Sequence, residues 1–309
     1  MANNVTPLIS IGQLIDQSWE TYREHFKPFM RIAMWFFLPA LLYVISKTIA
    51  PSDTAIVDAI NSGTPSTAEV WRAIIGGGIS TLTSLIVMPL VGSWVFLALA
   101  KSLRAISHEK QKPLNEQAVH DAAKRDLLPY ILQIGLLFLI GCLAIVPLAP
   151  GLGLIGINIF NRGGSVLGIF SIAIMILGTV ASLILSFHIT ISLAFSGFFL
   201  TLEGKKPLEG IKASYDLVKG RFFPTLWRFV APTLVFGVIP ALIQFGSVIF
   251  LSLVAASLPN TNDAVLVNIV SLLGTVIVIG VNALMAPLPI TANYFLYESL
   301  TRSRESAKS

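Results

Sequence analysis

Charge is what this sequence has least of. Only 12% of its 309 residues are Asp, Glu, Lys or Arg, against about 25% in a soluble domain. Cysteine is nearly missing too: Cys142 stands alone and within an apolar run, which rules out a disulfide framework. No zinc-type His-Glu-x-x-His, phosphate-binding loop or Cys-His cluster occurs, so no cofactor and no metal site is expected. The longest apolar runs contain no Asp or Glu, the groups that proton- or cation-coupled pumps commonly use inside a membrane. The first 28 residues are polar and include Asp16, Glu20 and Glu24, unlike the short basic start of a signal peptide, so no cleaved signal is expected.

What is present is apolar. Hydrophobic residues make up 54% of the chain and mean hydropathy is +0.79. Uncharged runs cover Ile32 to Ser46, Ala73 to Ala100, Leu127 to Phe160, Gly163 to Leu202, Phe229 to Asn262 and Ala264 to Tyr297. A bilayer core about 30 Å thick takes roughly 20 apolar residues per helix, so each run supplies one span, the first with help from its flanks. The composition predicts an all-α membrane protein with six transmembrane helices. Eighteen Lys and Arg fall on the side that holds both termini and three on the other. Basic excess marks the cytoplasmic face, which predicts both termini inside. The same bias explains the net charge of +5, so membrane lipid is the expected partner and nucleic acid is not.

One spacing recurs three times: Glu20-x-x-Arg23-x-x-Phe26-x-Pro28, Asp121-x-x-Lys124-x-x-Leu127-x-Pro129 and Asp216-x-x-Lys219-x-x-Phe222-x-Pro224. The prolines are 101 and 95 residues apart. Each copy ends a stretch with helical apolar periodicity and opens an uncharged run. The expected architecture is therefore three cytoplasmic amphipathic surface helices, each followed by a hairpin of two spans. As parallel repeats these would be related by a pseudo-threefold axis along the membrane normal. Unit boundaries fall near 8–106, 107–204 and 205–300 within a single membrane domain, with a disordered polar tail at 301–309.

Several segments carry their own expectations. Pro39 predicts a kink in the first span. Gly76-Gly77-Gly78, Gly164-x-x-x-Gly168 and Gly178-x-x-Ala181-Ser182 predict close helix packing. The third span weakens at Pro147 and Pro150, and Gly151-x-Gly153-x-x-Gly156 follows. That matches the dinucleotide fingerprint in letters only, since no acid follows before Glu203; a glycine-rich outer turn is expected. Gly163 to Leu202 is about twice the bilayer core as one helix, so it must tilt, project inward or break near Ser196-Gly197.

The block Leu208 to Phe229, LEGIKASYDLVKGRFFPTLWRF, with the preceding FFLTLEGKKP and the N-terminal LIDQSWETYREHFKPFM, resembles a group of bacterial six-helix membrane proteins. These are related to the membrane domain attached to some glycerophosphoryl diester phosphodiesterases. The resemblance implies a bacterial inner-membrane location. It does not imply catalysis, which in the fused enzymes belongs to a separate soluble barrel, whereas no segment between these runs exceeds about 30 residues.

Two groups of residues are candidates for a site. Arg23, Lys124, Lys205, Lys206, Lys212 and Lys219 would meet lipid headgroups or a membrane or cytoplasmic protein partner. His188, Gln133, Gln244 and Asn282 are polar within spans, and would either line a cavity or bond neighbouring helices. The pairs Glu20/Arg23, Asp121/Lys124 and Asp216/Lys219 are expected as i,i+3 helix pairs. The leading expectation is a non-enzymatic scaffold or accessory protein of envelope or lipid metabolism. The alternative is a transporter or lipid-translocating module with a cavity between the units. A continuous polar cavity reached by His188 and Asn282 would favour transport, and a packed apolar interior the scaffold.

Overall fold

The computed structural model describes residues 8–50, 66–108, 116–160, 165–257 and 264–306, and among these it is helical with no strand. Six helical stretches are long and apolar enough to cross a membrane: Phe26–Ile49, Thr67–His108, Gln117–Asn158, Gly168–Glu203, Phe222–Val254 and Leu272–Ser306. The outer segments around 51–65 and 258–263 and Gly164 of the expected Gly164/Gly168 face lie outside the described residues. Two compact units emerge. One, termed central because its longest segment lies mid-chain, comprises Met1–Ile9, Leu128–Phe229 and Leu296–Ser309; the other, termed flanking because its segments lie on either side of that segment in the chain, comprises Ser10–Leu127 and Val230–Phe295.

In the flanking unit, α1 (Ile11–Glu24) opens with a reciprocal cap. The Gln13 amide N–H donates to Ser10 Oγ at 3.2 Å, and the Ser10 N–H to Gln13 Oε1 at 3.3 Å. The chain breaks at His25 and continues as α2 (Phe26–Ala33), a 3₁₀ turn at Met34–Phe36, and α3 (Phe37–Ile49). The 3₁₀ turn is centred on Trp35, four residues before Pro39, whose ring has no N–H to return to that carbonyl. The next stretch repeats the device: α4 (Thr67–Leu82) passes into α5 (Met88–His108) through a π turn at Thr83–Val87, just ahead of Pro89. Ser46 Oγ donates to the Gly76 carbonyl at 2.9 Å, where α3 meets α4.

The second expected surface helix is not separate. Helix α6 (Glu116–Cys142) runs straight through Pro129, giving up only the single bond to the Arg125 carbonyl. In the central unit its last residues lead into a 3₁₀ stretch, Leu143–Leu148, around Pro147, and then α7 (Ala149–Phe160). The glycine-rich outer turn expected at 151–156 is therefore corrected: the segment is helical. Its glycine serves packing, since a Cβ on Gly151 would lie 2.7 Å from the Met175 Cα. Helix α8 (Ser165–Leu193) stops at Ala194–Phe195, just short of Ser196, and α9 (Ser196–Glu203) follows and packs on α10 (Pro207–Val218). The long run thus breaks close to Ser196-Gly197, one of the three outcomes its length allowed.

Helix α11 (Phe222–Ser257) contains Pro232 and Pro240, and α12 (Ala264–Met285) breaks at Ala286 before α13 (Pro287–Ser306). The disordered tail expected from 301 is corrected as far as Ser306. Ser303 is 1% exposed, and its Oγ accepts from Arg221 at 2.7 Å, so the polar end is helical because it is packed. Counted back from each proline, the buried faces fall in one register. The shared buried positions are Leu14, Ser18 and Tyr22 before Pro28; Val119 and Ala123 before Pro129; and Gly210, Ser214 and Val218 before Pro224, while α10 buries Ile211 and Leu217 as well.

Candidate functional site

Polar assemblies occur in both units among the described residues. One, in the central unit, is built on the helix break. Where α8 stops, the Phe195 N–H loses its helical partner, and Ser214 of α10 takes over. Its Oγ accepts from Phe195 N at 3.2 Å and donates to the Ser192 carbonyl at 2.9 Å, with the side chain fully buried. Gln133, also 0% exposed, ties α6 to the same place: its Nε2 donates to the Ser196 carbonyl at 3.0 Å and the Pro207 carbonyl at 3.4 Å. Gly210 makes room for that amide, since a Cβ there would sit 2.9 Å from Gln133 Nε2 and 3.1 Å from the Ser196 oxygen. Gly220, at φ +80°, turns the chain from α10 into α11.

Removing the Ser214 hydroxyl leaves Phe195 N–H stranded inside the protein, which costs about 1–3 kcal/mol. Ser214→Ala should therefore lower the thermal unfolding midpoint of the detergent-solubilised protein by several degrees. An unchanged midpoint would mean that the hydroxyl does not hold the break.

Beside this joint Tyr297 donates to Glu203 Oε1, stacks on Phe198 at 5.4 Å and meets the edge of Phe199 at 5.2 Å. Lys205 joins the same cluster: its Nζ is 2.9 Å from Glu203 Oε2 and 4.3 Å above the Phe199 ring. The other bases of α10 face outward. Lys206, Lys212 and Lys219 are exposed, and Lys206 contributes a backbone N–H to Glu209 at 3.4 Å. Leu208, Lys212, Tyr215 and Lys219 form one exposed stripe opposite the buried Gly210, Ser214 and Val218, with Leu208 66% and Tyr215 44% accessible.

Helix α1 of the flanking unit has a similar exposed pair in Trp19 and Arg23, and Phe26, also exposed, opens α2. Tyr22 on its buried side donates to the Leu284 carbonyl at 2.8 Å; burial raises its phenol above the ordinary value, which keeps it a donor. Lys124 is exposed and lies 3.9 Å from Asp121. Of the three expected i,i+3 pairs this is the one that forms; Glu20/Arg23 and Asp216/Lys219 make no ion pair among the described residues.

The four intramembrane polar residues divide between the units. Gln133 is in the joint, while His188 is exposed and lies 4.9 Å from the Phe222 ring. In the flanking unit Gln244 Nε2 donates to Asn282 Oδ1 at 3.3 Å, and Asn282 Nδ2 to its own helix at the Val278 carbonyl at 2.8 Å. Asn282 also lines a cavity of about 1190 Å³ between the 3₁₀ turn and α3, the π turn and the start of α5, α11 and α12–α13, whose described lining has no charged side chain. His188 does not reach it. Among the described residues no three His, Cys, Asp or Glu side chains come together as metal ligands.

Sequence reasoning passed over the half-buried ion pair of Lys101 with Asp126, in which Lys101 Nζ also donates to the Ala122 carbonyl at 2.7 Å. The signal was there. Lys101 ends one uncharged run and Asp126 precedes the next, so a hairpin sets them at one depth.

Fold and sites together define a six-helix, multi-pass membrane protein. The chain matches no protein-family model, no curated protein and no solved structure.

Proposed function

We propose that this is a non-enzymatic bacterial inner-membrane protein whose cytoplasmic face holds anionic lipid headgroups through the exposed stripes of α1 and α10. The stripe Leu208–Lys212–Tyr215–Lys219 carries the proposal. Its leucine and tyrosine suit the acyl boundary, its two lysines suit headgroup phosphate, and its opposite face is fixed by burial. Trp19 and Arg23 on α1 offer the same aromatic-and-base pair at the same distances before their proline. Lys205 leaves the contact set because Glu203 already neutralises it; Arg23, Lys124, Lys206, Lys212 and Lys219 remain.

The shared register of buried residues supports reading α1, the start of α6 and α10 as copies of one element. In this reading they are joints that seat the spans, while their outer stripes meet lipid. The likeness of Leu208 to Phe229 to the six-helix group belongs to the same reading, as does the placing of both termini in the cytoplasm.

Each base near an anionic surface contributes about 1 kcal/mol, so Lys212→Gln with Lys219→Gln should cut the preference for phosphatidylglycerol over phosphatidylethanolamine on the order of thirtyfold. Native mass spectrometry of the full chain, counting retained lipids, measures this. An unchanged preference in a variant that still folds would overturn the proposal.

A further inference from the structure

The cavity of the flanking unit is independent of the basic stripes. We propose that it is a binding site for the acyl chains of a membrane glycerophospholipid, taken in sideways from the bilayer. Three observations lead there.

The wall is apolar in effect as well as in name. Its described lining has no charge, and two of its polar side chains are bonded within the protein: Ser252 donates to the Val248 carbonyl at 2.7 Å, and Asn282 is occupied by Val278 and Gln244. A polar solute leaving water would find few partners.

The size fits chains. A methylene fills about as much space as a water, roughly 30 Å³, so 1190 Å³ has room for on the order of forty, the tails of one two-chain lipid. It also exceeds the range of about 300–1,000 Å³ usual for compact small molecules. An apolar space of this size in a bilayer fills with hydrocarbon, because its wall atoms would otherwise lose their dispersion partners.

The backbone is irregular where it faces this space. Phe36 comes from the 3₁₀ turn and Pro39 follows it; Thr83 and Ser84 come from the π turn. Pro240 withdraws the helical donor from the Phe236 carbonyl and Pro289 from that of Met285, and all four residues are in the lining. Irregular helix at membrane depth is tolerated where it is buried or lines a cavity, and it clusters at ligand sites. A surface merely bathed in bulk lipid gives no reason for three spans to depart from regular α-helix, and a fourth to carry a proline within its helix, at one place.

The test fills the cavity. Gly237 lines it, and a Cβ there meets nothing within 4 Å; Gly246, on the same helix, is equally open but is not in the lining. The full chain is purified in detergent, exchanged with palmitoyl-oleoyl phosphatidylethanolamine, which carries no net charge, and its retained phospholipid counted by native mass spectrometry. Gly237→Trp is expected to lose a tightly held phospholipid that the wild type and Gly246→Trp keep. Val248→Trp, also in the lining and 57% exposed, gives a second plug should Gly237→Trp fail to fold. Equal retention in all variants overturns the proposal. So does an unaltered lipid count with loss of a dimer in the plugged variants, which would assign the cavity to a second copy of the chain. Because the probe is zwitterionic, failure of the basic-stripe reading leaves this result untouched.

Discussion

Gln133→Glu should remove most of the folded protein. The side chain it replaces is completely buried and donates from Nε2 to the carbonyls of Ser196 and Pro207. A carboxylate has two acceptor oxygens and no donor, so its charge would face two carbonyl oxygens with no compensating cation. Lys205 is engaged by Glu203, and Lys206, next to Pro207, is exposed. Stranding a buried charge costs about 3–5 kcal/mol, a large fraction of the roughly 5–15 kcal/mol that holds a typical domain together. Protonation relieves the charge but restores one donor where two bonds were made. Gln133→Leu is the informative companion. It loses the same two bonds but also deletes Oε1, which has no partner among the described atoms, so its cost should be clearly smaller. Size-exclusion profiles and thermal midpoints of both variants in one detergent decide the matter. Equal behaviour would mean that the joint is held by packing around α10 rather than by the Gln133 amide.

How far the sequence could be read depended on how local each cause was. The spans were legible because exclusion of charge over twenty residues is a property of the chain alone. So was the break between α8 and α9: a run from Gly163 to Leu202 is too long for one crossing, and the helix stops at Ala194–Phe195. Pro39 and Pro147 announced their 3₁₀ turns by the bond each removes. Pro129 did the same and misled, because α6 tolerates the missing bond and continues. The remaining differences are tertiary. Gly151 reads as a turn until Met175 is beside it, and the polar end from Thr301 reads as a free tail until Arg221 reaches Ser303. Gln133, Gln244, Asn282 and His188 look alike as isolated polar residues in apolar runs. Their fates differ because Gln133 meets a broken helix, Gln244 and Asn282 meet each other, and His188 meets the Phe222 ring. The cavity was invisible for the same reason, since its wall comes from segments that precede and follow residues 128–229 in the chain.

Gly178→Val should be nearly as damaging as a charge at Gln133, although it introduces nothing polar. Gly178 is buried on the face of α8 that also buries Ser171 and Ser182. A Cβ there would come within 2.4 Å of the Pro147 oxygen and 3.2 Å of its carbonyl carbon. Both are backbone atoms of the 3₁₀ stretch Leu143–Leu148, so no rotamer change can clear them and α8 must move away. Moving it also opens the approach at Gly151, where α7 lies against Met175 at similarly close range. Overpacking of this kind costs about 1–3 kcal/mol and occasionally more. Because the Pro147 and Met175 approaches are disturbed together, the upper end is expected, a fall of roughly 5–10 °C in the unfolding midpoint. Gly153→Val supplies the contrast. It is on α7 two residues from Gly151, is exposed, and has nothing within 4 Å of its Cβ position; valine also has a better helix propensity than glycine, so stability should hold or rise slightly. If Gly178→Val and Gly153→Val behave alike, α8 does not lie against the 3₁₀ stretch at Pro147 as closely as the geometry requires. If they differ as expected, the three glycines at 151, 153 and 156 share a spacing without sharing a purpose, and the likeness to a nucleotide-binding turn is a product of helix packing.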